Sequence, residues 1–254
     1  MDHKLLIAGY GYVGKAVKEL FPECDVYDPG AHEGSSQGMS CFNKPPKKEY
    51  EVCFVCVPTP AKANGSCDTA AIEKILSKIR SGLYIIRSTV PPGTTNSLEK
   101  KYKAEIVFQP EYVASSSPYP APLGDLKTRT FVILGGRTKC TKKARRLYER
   151  VYPPTTIIYE VDALTAEVIK YGENSFIAAK VTFCNELYNI CQTFNVDYDK
   201  VREGVFRLDP RMTEWWTYVK PDQRGWGGIV CLKIWRPLSQ PVKRMGTILN
   251  SLKM

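Results

Sequence analysis

Six residues limit what this chain can become more than any others: Gly9-Tyr10-Gly11-Tyr12-Val13-Gly14. An apolar run at 4–8 precedes them, and AVKEL, with helical character, follows. In the order strand, glycine turn, helix, each glycine has a task. Gly9 permits the tight turn, Gly11 lets the backbone approach a pyrophosphate, and Gly14 lets the helix pack close to the strand. The helix N-terminus then turns unpaired N–H groups and a positive dipole end toward the phosphates. Positions 25–28 read as a second short strand ending in an acid, Asp28. Its distance from the first glycine is that of the carboxylate which binds a ribose 2′-hydroxyl in dinucleotide sites. No arginine follows it to hold a 2′-phosphate, which favours NAD over NADP.

The alternation continues along the chain. Strands are expected at 51–57, 83–87, 106–108, 131–134 and 156–159, and helices at 69–80, 94–102 and 139–151. Strands alternating with helices imply a Rossmann-like, doubly wound parallel sheet over residues 1–160. The polar stretch 29–48 reads as a loop. In such sheets the ligand lies beyond the carboxyl ends of the strands. Three loops fall there: VPTP at 57–60, STVPPGT at 88–94 and QPEY at 109–112.

From residue 162 the pattern changes to a helical segment spanning 161–254. A long proline-free stretch carries Leu164, Val168, Tyr171, Phe176, Ala179, Phe183, Leu187 and Ile190 at helical spacing, with a candidate kink at Gly172. Lys170 and Asn174 are four apart and so share a face. The pattern leaves open whether that face meets a cofactor or water. A second helix is expected at 198–206, followed by DPRM at 209–212, a Trp-rich turn and the glycine cluster at 225–228.

Composition removes other classes. The chain has 254 residues, 43% of them hydrophobic and 24% charged, as in ordinary globular proteins. No apolar run approaches the roughly 20 residues needed to span a bilayer, and no signal peptide is read at the start, so a cytoplasmic chain without membrane contact is expected. Nine irregularly spaced cysteines read as buried, reduced thiols. Cys53 and Cys56 have the spacing of a redox or zinc pair. In a buried strand, however, positions three apart point to opposite faces. With only His3 and His32, no metal site is expected. The net charge is +10, with Lys142, Lys143, Arg145 and Arg146 on one helix. No nucleic-acid signature accompanies them, so a solvated face is expected and no nucleic-acid partner.

Seven motifs together resemble the UDP-glucose/GDP-mannose 6-dehydrogenases. They are GYGYVG at 9–14, CVPTP at 56–60, STVPPGT at 88–94, QPEY at 109–112, AEVIKYGENSFIAAKVTFCNE at 166–186, DPRM at 209–212 and PDQRGWGG at 221–228. STVPPGT and the DPR…GWGG pair speak against β-hydroxyacid or 6-phosphogluconate dehydrogenases on the same scaffold. The resemblance implies NAD-dependent oxidation of a nucleotide sugar, UDP-glucose by default, to the uronic acid. Two hydride transfers would pass through a Cys-bound intermediate.

The resemblance also assigns residues. Gly9, Gly11, Tyr12, Val13, Gly14, Asp28, Pro58, Thr59, Ser88 and Thr89 would hold NAD. Cys231 would be the nucleophile, Lys170 and Asn174 would stabilise oxyanions and position water, Glu111 would handle protons, and Thr89 would order a water. Arg211, Gly227 and Gly228 would contact the substrate, together with Glu111, Lys170 and Asn174. A homodimer through the helical segment is a further implication that the sequence leaves open. So is a truncation before the family's UDP-binding domain.

The match breaks at the nucleophile. The family pattern is GG-x-C, one residue, then Pro-Lys-Asp. This chain reads Gly227-Gly228-Ile229-Val230-Cys231-Leu232-Lys233, with the cysteine one place late and the Pro and Asp missing. Codons can be chosen for GGIVCLKIWRPL such that a second frame, entered at the last base of codon 228, reads Asn-Cys-Leu-Pro-Lys-Asp. Residues 229–254 are therefore expected to be out of frame. Five of the cationic side chains fall in that tail and no acid does; without them the balance is +5. The alternative is a truncated, catalytically impaired homologue that binds NAD or nucleotide.

Overall fold

The computed structural model describes residues 4–30, 34–36, 39–63, 66–112, 126–213, 215 and 217–219. The chain divides into two compact units, Met1–Lys170 and Tyr171–Met254.

In the first unit the order is β1 (Leu5–Ala8), α1 (Tyr12–Leu20), β2 (Asp25–Tyr27), β3 (Gly34–Ser36), β4 (Met39–Phe42), β5 (Glu49–Val55), α2 (Ala70–Lys78), β6 (Arg80–Ile86), α3 (Thr94–Tyr102), β7 (Ile106–Phe108), β8 (Phe131–Gly136), α4 (Thr138–Tyr148) and β9 (Ile157–Val161). The strands form one sheet in the order β3-β4-β2-β1-β5-β6-β7-β8-β9. β1 lies between β2 and β5 and is parallel to both. The chain therefore reverses direction across the sheet at β1, and a crevice opens there beyond the strand ends.

The apolar runs are strands buried on both faces, and alternate residues of each strand enter different cores. Leu5, Ile7, Val52, Phe54, Leu83 and Ile85 pack with Val17 and Phe21 near α1 and with Ala144 and Tyr148 of α4. Leu6, Ala8, Cys53, Val55, Tyr84 and Ile86 pack with Ile72 and Ile75 of α2 and Leu98 of α3. Each large aliphatic side chain among them contributes about 1.5–3 kcal/mol on burial. Period-2 geometry also separates the two cysteines of the CxxC spacing: Cys53 joins the second core, and Cys56 packs against the first.

Two departures from an all-parallel sheet appear. The 29–48 stretch, expected to be a loop, contains β3 and β4; β4 runs parallel to β2 and β3 antiparallel to β4. These strands are only three and four residues long, too short for a periodic signal in sequence. β8 pairs antiparallel with β7. Antiparallel neighbours need no crossover helix.

The helix α5 (Ala163–Thr193) runs from the first unit into the second and is unbroken at Gly172, the candidate kink. In the second unit α6 (Tyr198–Arg202) continues into a single wide turn over Glu203–Arg207. Asp197 caps α6 by accepting from the Asp199 N–H at 2.9 Å. Among the described residues no helix is long and apolar enough to cross a membrane.

The basic side chains of α4 are mostly matched by acids. Lys139 and Lys143 pair with Glu105, and Arg145 pairs with Glu149 and Glu160. This face is a solvated ion-pair network, worth little to stability pair by pair.

Candidate functional site

The three glycines differ in what surrounds them. Gly9 has φ +96°, and a Cβ there would lie 2.8 Å from the Cys56 carbonyl. A Cβ on Gly14 would lie 2.1 Å from the Gly9 carbonyl oxygen. At Gly11 a Cβ would meet nothing within 4 Å. The protein's own packing therefore requires Gly9 and Gly14 to be glycine but not Gly11, which faces open space. Gly11 is also the N-cap of α1, whose first turn has neither a side-chain cap nor an acid. No cap or first-turn carboxylate competes with an anion for that dipole. Tyr12, 52% exposed, and Val13 begin the helix beside it.

Asp28 closes the other side of the turn. Its carboxylate accepts the Tyr10 N–H at 2.7 Å and the Gly30 N–H at 2.8 Å. Being only partly buried, it keeps lone pairs for a ribose hydroxyl. These residues fit a dinucleotide.

The loops after β5 and β6 are tied together. The Thr59 hydroxyl donates to the Thr89 carbonyl at 2.8 Å, and the Ser88 hydroxyl donates to the Val57 carbonyl at 2.6 Å. Thr59 and Ser88 are buried, Thr89 is partly exposed and Pro58 is exposed.

The loop after β7 carries Glu111 in a cluster that sequence reading did not assemble. Glu111 is ion-paired with Arg87 and lies 3.4 Å from Arg129, with side chains 8%, 0% and 1% exposed respectively. Its Oε1 also accepts the Tyr112 N–H at 2.6 Å. Burial, then the neighbouring Arg87 charge, lowers the Arg129 pKa to about 10. The Tyr112 ring has the Arg129 guanidinium 5.5 Å from its centroid and the Lys170 ammonium at 4.4 Å. Such contacts draw a cation to the face of the ring.

Lys170 is buried rather than solvated, and so is Asn174, one helical turn on. The buried side of α5 includes Glu167, Lys170 and Asn174, whereas Phe176, Phe183 and Ile190 are 71%, 55% and 53% exposed. Arg211 is exposed, and its guanidinium is gripped by Asp209 at 2.6–3.1 Å. Gly227, Gly228 and Cys231 lie outside the described residues.

Sequence reading missed Arg87, Arg129, Tyr112 and Glu167. Arg87 was readable only as the end of a strand, directly before STVPPGT.

The cysteines in and beside β2 and β5 lie where a thiolate is disfavoured. Burial raises the thiols of Cys24 and Cys53, and pushes that of Cys56 up to about 12 against the lowering effect of Arg87. In native protein at pH 8, iodoacetamide followed by mass spectrometry is expected to leave all three unlabelled, with labelling after unfolding. Rapid native labelling of Cys53 or Cys56 contradicts the buried-strand reading.

Comparison with known proteins adds the following. Residues 31–154 match the NAD-binding domain of the UDP-glucose/GDP-mannose dehydrogenase family, and residues 164–253 match its central domain. The UDP-glucose 6-dehydrogenase of Rickettsia bellii is 28% identical over 218 residues, covering 79% of this chain and 48% of that protein. The UDP-glucose 6-dehydrogenase YwqF of Bacillus subtilis is 30% identical over 201 residues, covering 71% and 44%. The chain thus spans about half the length of the curated relatives it matches. A UDP-glucose dehydrogenase structure from Pyrobaculum islandicum superposes with a TM-score of 0.75 at 23% identity, covering 96% of this chain and 65% of that one. That likeness concerns the fold.

Proposed function

Because the chain belongs to the UDP-glucose/GDP-mannose dehydrogenase family, we propose that it serves NAD-dependent oxidation of a nucleotide sugar, UDP-glucose first, to the uronic acid. The observation that carries this reading is the open face at Gly11 beside an uncapped helix N-terminus, with Asp28 across the turn.

The cofactor, when bound, accepts hydride. The chain's own residues do the rest. Gly11 and the N-terminus of α1 hold the pyrophosphate, and Asp28 holds the ribose. Pro58, Thr59, Ser88 and Thr89 shape the strand-end wall. Lys170 and Asn174 oppose charge that develops on the sugar oxygen, since buried donors act strongly where water is excluded. Glu111 handles protons from a fixed position. Cys231 is the proposed nucleophile, with Arg211, Gly227 and Gly228 as substrate contacts.

The test is NADH formation from UDP-glucose and NAD⁺ by the purified chain. NADH that forms and vanishes in Cys231→Ser supports the reading. NAD⁺ binding without NADH from UDP-glucose, UDP-N-acetylmannosamine or GDP-mannose overturns it in favour of a catalytically impaired NAD-binding homologue. The late cysteine and missing Pro-Lys-Asp favour that second reading. Its origin in a shifted frame is tested by the gene's bases past codon 228. An alternative frame encoding Cys-Leu-Pro-Lys-Asp is expected; no such frame refutes the shift.

The proposed partner along α5 is a second copy of this chain. Phe176, Phe183, Ile190 and Phe194 recur at helical spacing, and all are more than half exposed. That spacing gives one apolar stripe, and a stripe on both copies suits a two-fold contact. Sedimentation should show a dimer that Phe176→Glu with Phe183→Glu converts to monomer; an unchanged dimer removes the stripe from the interface.

A further inference from the structure

Glu167 sits on α5 with none of its surface exposed, in the position of a functional group without an assigned function. Its Oε2 accepts the Gly93 N–H at 2.5 Å. Its Oε1 accepts the Thr95 N–H at 2.8 Å and the Thr95 hydroxyl at 2.6 Å. These donors belong to the end of the STVPPGT loop and the first turn of α3. Gly93, the N-cap of α3, has φ +89° and no side chain to cap the helix. The capping oxygens come instead from a helix far along the chain, and they place a negative charge on the positive end of α3.

One turn further along α5, Lys170 stands over Tyr112 of the loop after β7. A single helical turn therefore grips the loops that follow two neighbouring strands. Its close approach is built in: a Cβ on Gly135 of β8 would fall 2.3 Å from the Ala166 Cβ.

The sheet order says which part of a dinucleotide these loops meet. Asp28 follows β2, on one side of β1, and on the NAD reading takes the adenosine ribose. β5 and β6 lie on the other side, so the loops at 56–60 and 87–94 face the nicotinamide half.

We propose that Glu167 is a positioning residue that fixes the loop after β6, and with it Ser88 and Thr89, to receive the nicotinamide half of NAD. This rests on the NAD reading above. The carboxylate never touches the cofactor; it acts through the backbone of 93–95. A side chain that merely stabilised the fold would affect both halves of the cofactor site alike, whereas this one affects only one half.

The experiment compares NAD⁺ and ADP-ribose by calorimetry in the wild-type chain and in Glu167→Ala, Glu167→Gln and Thr95→Val. Glu167→Ala is expected to weaken NAD⁺ about tenfold or more and to leave ADP-ribose within about twofold. Glu167→Gln keeps one acceptor oxygen for Thr95 but sets an NH₂ against the Gly93 N–H, so it should fall between. Thr95→Val, which removes only a hydroxyl, keeps the test usable should the alanine variant not fold, with a smaller loss in the same direction. The Gly93 and Thr95 amide signals should lose their carboxylate-bound downfield shifts in Glu167→Ala. Equal losses for both ligands, or no loss for either, overturn the proposal. Failure of the wild-type chain to bind either ligand overturns the NAD reading and this proposal with it, an outcome distinct from the others.

Discussion

Gly11→Leu is expected to raise the NAD⁺ dissociation constant at least about 100-fold, or about 3 kcal/mol, while the fold survives. The backbone at Gly11 has φ −74°, which any residue adopts, and an added Cβ meets no protein atom within 4 Å. The side chain would project into the volume a pyrophosphate needs. Poorer N-capping by leucine costs less than about 1 kcal/mol. Gly14→Ala should behave in the opposite way. Its Cβ would press on the Gly9 carbonyl oxygen, which the turn cannot move without losing the Gly9 N–H bond to Tyr27 O at 2.8 Å. Overpacking against fixed backbone costs about 3 kcal/mol or more, lowering the melting temperature by roughly 6–12 °C for a domain of this size. Thermal melts and calorimetry on the two variants give the comparison. Undiminished NAD⁺ binding by Gly11→Leu means the cofactor lies elsewhere.

The same two glycines show what local sequence can reveal. Turn, dipole and following acid all fall in one short stretch, from Gly9 to Asp28, so both the first βαβ and its cofactor were legible. The buried strands were legible because residues facing both cores must be apolar. β3 and β4 were not, since strands of three and four residues are too short to show a period. The antiparallel β7–β8 pair was hidden for another reason: strand periodicity is the same in either direction. On α5 the periodicity announced a helix but not which side faces inward. Phe176, Phe183 and Ile190 are exposed, and the buried side carries Glu167, Lys170 and Asn174 beside Ala166, Tyr171 and Ala178. Glu167 looked like any helical glutamate, because its meaning depends on the Gly93 and Thr95 backbone. Arg87, Glu111 and Arg129 are well separated along the chain, with no shared local pattern, and only the sheet brings them together.

That cluster gives the second large effect. Glu111→Ala is expected to destabilise the first unit by about 3–5 kcal/mol, read as a lower urea midpoint at unchanged slope. The reason is asymmetry. Glu111 faces two guanidinium groups whose side chains are 0% and 1% exposed, and its removal leaves both cations buried without that carboxylate. Breaking a buried pair costs more than the pair contributes when intact, because the stranded charge cannot return to water. Glu111→Gln should cost less, since its amide oxygen still accepts a hydrogen bond. The decisive variant is Arg87→Met with Glu111→Leu, which deletes one cation together with the anion. Because an apolar pair of similar volume avoids the desolvation cost, the double variant should be more stable than Glu111→Ala alone. If the two substitutions instead add, Glu111 and Arg87 are not energetically coupled, and the rigid placement of the proposed proton-handling carboxylate needs another cause. If they are coupled and the double variant folds, its NADH yield separates the two uses of Glu111. Recovered stability with lost turnover assigns the carboxylate to chemistry; recovery of both assigns it to the fold alone.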